Sequence, residues 1–498
     1  MTVAAQTNAA IAANYDAVAY DALPYPMSHP DNLAAVATMF GLDAPPVETA
    51  RVLEVGCNDG SNLLPMAAAL PRARFIGCDI APLPVRAANA CAAELGLANV
   101  RFVEADLAAL DDGPWDYVIA HGVYSWVPPA VRDALLGLVQ RQLAPGGLAF
   151  VSYNTYPGGY VRRAAWEALR WHVRDAPTRD DKLREARAFA ALLAEAGPTH
   201  EAADASVRSE FARIAGEADS PLYHDTLAEP NEPVWFHDFA AHAQAHGLAY
   251  VAEALPSMMG GGGLAPRVRQ FLAGQARLAR EQYLDIARVR RFRQSILARA
   301  DAAANVRLVP ERMAALRVSA SMPLLRAAAD ERLPAAQGPD GPVLRALLDA
   351  LVAASPLALP VPALLDAARP AGTRGRSVEA ILLDAWVSGF AQLHAIGPAA
   401  SAEPGALPTG ARVARWQAPR REAVTNLRHE TIRLVDPFAR ALLPLCDGTR
   451  DRAALAAALA DGRDPRDPAL RAQVDETLGS LAKVALLERR EQGMGNSE

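Results

Sequence analysis

The sequence predicts an α/β fold built on a doubly wound, mostly parallel sheet, and three observations carry that reading. The stretch RVLEVGCNDG, residues 51–60, is a short apolar run with two valines; it ends in a glycine-punctuated turn and feeds the helical composition of NLLPMAAAL. Four more apolar strands follow, separated by segments of helical composition, as expected for strands joined by crossover helices. Glycines and polar residues collect just after the strands, at the carboxyl edge where such sheets hold ligands.

Taken in order, residues 14–30 (NYDAVAYDALPYPMSHP) place tyrosines at 15, 20 and 25, and prolines at 24, 26 and 30 stop any helix beyond Leu23. A short helix and an extended arm are expected, and taken by themselves the tyrosines read as aromatic packing of a terminal segment on the core. Asp31 to Phe40 reads as a helix capped by Asp31. The second strand, RFIGCD, ends in Asp79, about 20 residues past the turn, where a carboxylate can accept from both ribose hydroxyls. The third strand, Val100 to Val103, precedes Ala105 and Asp106. The fourth, Asp116 to Ala120, ends in His121 and Gly122, and the fifth, Leu148 to Tyr153, follows Pro145, Gly146 and Gly147.

After the fourth strand, HGVYSWVPP sets His121, Tyr124, Ser125 and Trp126 on a loop above the sheet edge, and Pro128 and Pro129 open a helix from Ala130 to Leu143. His121 reads either as a general base or as a histidine bonding backbone at a strand end. The loop from Tyr153 to Gly159 offers further hydroxyl and amide groups at the same edge. Cys57 and Cys78 flank this region and read as small buried packing residues.

Glu54-x-Gly56-x-x-x-Gly60, Asp79 and Ala105-Asp106, in that order, resemble the class I S-adenosylmethionine-dependent methyltransferases, which have a Rossmann-like core. The resemblance implies S-adenosyl-L-methionine as cofactor, with the glycine turn against its methionine part, Asp79 on the ribose and Asp106 at the adenine. It assigns cofactor binding to Glu54, Gly56, Cys57, Asn58, Gly60, Asp79, Ile80, Asp106, Leu107 and His121. It assigns acceptor alignment to Tyr124, His121, Tyr15, Trp126 and Tyr153, and assigns no metal. Asn58 stands where the family has a middle glycine, and asparagine tolerates positive φ better than other side chains. The dinucleotide pattern G-x-G-x-x-G is not met, which disfavours NAD.

A narrower resemblance covers residues 14–300. YHDTLAEPNEPVWFHDFAAHAQAHGLAYVAEA and EQYLDIARVRRFRQSIL are similar to the methyltransferase regulatory domain of bacterial proteins, best understood in rickettsial protein lysine methyltransferases; SHPDNLAAVATMFGL and VSYNTYPG fit the same group. The acceptor implied is a lysine-containing protein. A small-molecule acceptor, or a non-catalytic scaffold for which Asn58 would be the hint, are the alternatives.

Val161 to Ala196 reads as a helical insertion with Trp166, Leu169 and Val173 on one stripe. Residues 233–254 read as a helix ended by Gly247 and a strand, Leu248 to Glu253, that completes the sheet. One helix is expected from Arg267 to Ala298, carrying Arg288, Arg290, Arg291 and Arg293 as a solvated or acid-paired face in preference to a nucleic-acid patch. Pro323 to Gly341 reads as a linker, followed by compact units at 342–397 and 420–490, the latter consistent with a winged helix. The domains expected are a core at 1–160, a helical insertion and regulatory domain at 161–305, and winged-helix-like domains at 320–400 and 411–490. Residues beyond 320 are expected to dock substrate and to be dispensable for cofactor binding.

Composition sets the outer limits. A net charge of −6 supplies no general attraction to nucleic acid or anionic lipid, and no apolar run is long enough to span a membrane. The N-terminus lacks the basic start and apolar core of a signal peptide, and the four cysteines show no paired spacing, so a reduced cytoplasmic protein is expected. Oligomeric state is not legible.

Overall fold

A computed structural model describes residues 20, 22–197, 201–332, 338–372 and 376–489. Seven strands form one sheet in the order β3-β2-β1-β4-β5-β7-β6. They are β1 (Arg51–Val55), β2 (Arg74–Asp79), β3 (Val100–Glu104), β4 (Trp115–Ala120), β5 (Leu143–Asn154), β6 (Leu248–Glu253) and β7 (Phe292–Arg299). The first five pair in parallel, and β7 runs antiparallel to both β5 and β6. Alternate side chains leave a strand on opposite faces. Val52, Phe75, Tyr117 and Phe150 accordingly enter one core, whereas Leu53, Ile76, Val118 and Val151 enter the other. Burial on both faces explains why these strands read as continuous apolar runs. Strand order reverses between β2-β1 and β4, and a crevice opens there at the carboxyl edge.

The expected helix from Arg267 to Ala298 is three elements: helices Pro266–Ala273 and Arg277–Arg288, then strand β7. Val289 ends the second helix in the left-handed region at φ 48°, which turns the chain back into the sheet. Arg293 hid this strand from a reading of polarity. It is fully buried, its Nη1 2.6 Å from Glu253, its Nε 2.8 Å from Asp285 and its Nη2 3.1 Å from Glu281. The arginine is acid-paired as expected, but inside the protein and on a strand.

Helices Gly158–His172, Arg179–Ala194 and Ala202–Ala215 pack on one another around Trp166, Leu169, Leu183, Phe211 and Ile214. Beyond the sheet, β8 (Arg317–Ala320), β9 (Leu359–Pro360) and β10 (Ala391–His394) form an antiparallel sheet, and β11 (Ala423–Thr425) pairs with β12 (Thr431–Arg433) beside four helices between Arg412 and Lys483. The expected linker from Pro323 is corrected in part, since helix Met322–Ala329 occupies its start.

Asp31 is not a helix cap. The cap of helix Pro30–Met39 is His29, whose Nδ1 accepts from the Asp31 N–H. The Asp31 carboxylate instead meets His394 Nδ1 at 2.6 Å and the Ile396 N–H at 2.7 Å, tying helix Pro30–Met39 to β10.

Candidate active site

Gly56 and Gly60 hold φ of +73° and +74°, a region open to glycine at little cost. A Cβ on Gly56 would lie 2.8 Å from Val123, and one on Gly60 2.5 Å from the Phe102 ring. Asn58 takes φ 48°, so the left-handed turn forms with asparagine in the place of glycine. Asp79, at the end of β2, locks this turn: its carboxylate accepts the Asn58 N–H at 2.9 Å and the Ala81 N–H at 3.0 Å. On the other side, Gly56 and Cys57 donate to the Cys78 carbonyl at 2.8 and 3.1 Å.

Above the turn lies a cavity of about 590 Å³. Glu54, Gly56, Cys57, Asn58, Asp79, Ile80, Asp106, Leu107, His121 and Trp126 line it. Gly60 does not; it sits beneath the turn against Phe102. Burial pushes the Cys57 thiol well up, consistent with a packing residue.

Tyr124 and Tyr153 do not line the cavity. Both are almost fully buried: the Tyr124 hydroxyl bonds His242 Nδ1 at 2.8 Å, and Tyr153 stacks on Phe239 with its hydroxyl 3.2 Å from Ser295. They are corrected to packing residues, because the loop after β4 turns Tyr124 down into the core while raising Trp126 to the cavity. Tyr15 lies outside the described residues. His121 is stacked on Tyr25 with centroids 3.6 Å apart, and burial lowers its pKa to about 3. Burial thus favours the neutral imidazole, which stands on the cavity wall.

Four buried polar atoms in the cavity wall have no partner among the described residues: Glu54 Oε2, His121 Nδ1, Trp126 Nε1 and Trp166 Nε1. Buried polar groups are normally satisfied. A polar ligand with donors and acceptors at both ends of the cavity fits that set. Glu54 also accepts from Asn62 at 2.7 Å, and burial raises its pKa to about 8. A cationic amino group placed there would pair with its ionised form. The residues present therefore fit S-adenosyl-L-methionine.

The far end of the cavity is built by residues the sequence did not point to: Trp166, Arg213, Glu217, Asp225, Thr226 and Phe292. Asp225 is hydrogen-bonded to Tyr20, and burial, reinforced by Glu217, raises its pKa to about 6. Thr226 Oγ1 donates to Glu217 at 3.0 Å. Trp166 had been legible only as part of an apolar stripe, and Asp225 only as one letter of YHDTLAEP. The C-terminal unit also comes closer than expected, since His429 Nε2 donates to Asn62 Oδ1 at 2.8 Å and Asn62 holds Glu54.

The sheet order, glycine turn and acidic strand ends define a class I S-adenosylmethionine-binding fold. Three family models match: a methyltransferase domain over residues 52–147, a predicted methyltransferase regulatory domain over 218–299, and the PKMT C-terminal winged helix domain over 407–473. The uncharacterized protein RP789 of Rickettsia prowazekii is 35% identical over 295 residues, 58% of this chain and 53% of that protein. The chain thus spans about half the length of that relative. The uncharacterized protein RP028 of the same organism is 34% identical over 235 residues, 46% of this chain and 94% of that protein. Among solved structures, PKMT2 from Rickettsia typhi in complex with AdoHcy superposes with a TM-score of 0.78 at 22% identity, covering 94% of this chain and 99% of that one. The chain belongs to the S-adenosylmethionine-dependent methyltransferases that carry a methyltransferase regulatory domain and a PKMT winged helix domain.

Proposed function

We propose that this protein methylates lysine side chains of a protein acceptor. The supporting observation is the far end of the cavity, where the Asp225 carboxyl stands with Tyr20 and the aromatic walls of Trp126 and Trp166. An ionised Asp225 attracts an ammonium head, and the indoles hold the apolar stem behind it. When bound, the cofactor would supply an electrophilic methyl on sulfur, whose C–S bond would break as the acceptor nitrogen bonds to carbon. The acceptor must first lose a proton. With a free pKa of about 10.4, a lysine ammonium lies about 3.4 units from neutrality at pH 7, a cost of about 4.6 kcal/mol. Desolvation between the rings offsets part of that by disfavouring the charged form, while Asp225 and the ring faces favour it on entry. The rest of the chain's contribution is alignment of the amine with the methyl group.

Location in the cytoplasm fits this reading, because the four cysteines are all free. The C-terminal winged-helix units are read as the surface that docks the acceptor protein.

The test is incubation with radiolabelled cofactor and a host lysate, followed by amino-acid analysis of labelled protein. Label in methyl-lysine is expected. Asp225→Asn should lower turnover about tenfold while leaving cofactor affinity within a few-fold, the mark of an interaction with the acceptor. Label confined to small molecules, or an unchanged Asp225→Asn rate, would overturn the reading.

A further inference from the structure

Away from the cavity, on the outer face of the sheet's covering helices, three side chains converge. Helix Phe236–Ala245, with His246 at its C-terminal end, presents His242 and His246 four residues apart, so both rings lie on one side. Asp133, on helix Pro129–Gln142, faces them: its Oδ1 is 2.8 Å from His246 Nε2 and 3.4 Å from His242 Nε2. All three donor atoms lie within 4.8 Å of one another. Four donors in a tetrahedron around a cation with bonds of about 2.0–2.1 Å stand about 3.3 Å apart, and the two Asp133 contacts, 2.8 and 3.4 Å, bracket that spacing.

A second observation points the same way. His242 Nδ1 is held at 2.8 Å by the hydroxyl of Tyr124, a residue buried against Phe239 and Tyr153. A metal-ligating histidine needs its other ring nitrogen tied to a partner that fixes tautomer and orientation. With Nδ1 protonated and donating to Tyr124, His242 Nε2 would be free to ligate a cation held between it and Asp133. Asp133 is exposed, and His242 and His246 are half-buried, which leaves outward positions for water. The set of two imidazoles and one carboxylate suits zinc and its neighbours, not magnesium or calcium.

We propose that Asp133, His242 and His246 bind one zinc-class divalent cation that clasps the helix following the β4 loop to helix Phe236–Ala245 of the regulatory region. The site lies outside the cavity and takes no part in methyl transfer. It fastens the segment whose other end carries Val123 and Trp126, both cavity-lining residues.

The experiment uses the full chain without a polyhistidine tag, stripped with chelator. Equilibrium dialysis with zinc should give one ion per chain with a dissociation constant on the order of micromolar, and cobalt should show the visible absorption of a tetrahedral ion. Zinc should raise the melting temperature, and magnesium should not. His246→Ala and Asp133→Ala should each abolish the stoichiometric site and the cobalt spectrum, while Tyr124→Phe, which leaves all three ligands in place, should weaken zinc about tenfold or more. Circular dichroism shows whether each variant is folded. Absence of stoichiometric zinc, or zinc binding unchanged in folded His246→Ala, would overturn the proposal.

Discussion

At the cofactor end of the cavity, Gly56, Asn58, Asp79 and Asp106 come from the ends of three neighbouring strands, and backbone hydrogen bonds between them set the shape. At the proposed acceptor end, Trp126, Trp166, Glu217 and Asp225 come from four separate segments, and the wall exists only because a helical insertion and the regulatory region fold back over the sheet. The first end is a consequence of strand and turn geometry. The second depends on tertiary packing, including buried charges far from the cavity, and its failure should leave the first end standing.

The largest test of that difference is Arg293, which joins β6, β7 and helix Arg277–Arg288 beside the cavity residue Phe292. Arg293→Met strands Glu253 and Glu281 without their ion-pair partner, leaves Asp285 with Arg290 alone, and should cost about 3–5 kcal/mol. The expected outcome is a lower melting temperature of the regulatory region, seen as faster hydrogen exchange there, with β1 and β2 still protected. Uniform loss of protection would show that the two regions fold as one unit and break the comparison.

Next in size, Asp79→Ala should weaken cofactor binding by about 1.5–3 kcal/mol, the range for hydrogen bonds to a charged group. Part of the loss is structural, because the same carboxylate holds the Asn58 and Ala81 N–H groups. Calorimetric affinity equal to wild type would remove this strand end from the site.

The smallest effect concerns Glu54. Its pKa is raised from 4.5 to about 8, so the folded protein keeps a proton that the unfolded chain has released. The stability this contributes is fully present below pH 4.5 and is lost as pH rises through about 8. A cofactor ammonium pairs with the ionised form, so binding should release a proton at pH 7, and affinity should rise by less than about tenfold from pH 7 to 8. Calorimetry in two buffers of different ionisation enthalpy measures the proton count; none released would separate Glu54 from the amino group.

Five parallel strands, the turn and the strand-end acids were legible because each is a local pattern: an apolar run, a glycine requirement, a carboxylate at a fixed distance. β7 was not, since its buried Arg293 looks like surface until its three acids, drawn from other elements, are seen. Tyr124 and Trp126 differ by two positions, and only the short 3-10 turn Tyr124–Trp126 decides that one faces the core and the other the cavity.

The same division holds at the candidate metal site. His242 and His246 stand at helical spacing in the chain, but Asp133 lies 109 residues from His242 and only the packing of two helices supplies it. By itself the sequence determined the parallel sheet, the glycine turn with asparagine in its left-handed place, and the acidic residues at the strand ends, because backbone sterics and burial act over a few residues. Tertiary structure alone decided which aromatics wall the cavity, where Asp225 and Glu217 meet it, and which charges are buried, because those depend on side chains from distant segments sharing one low-dielectric space.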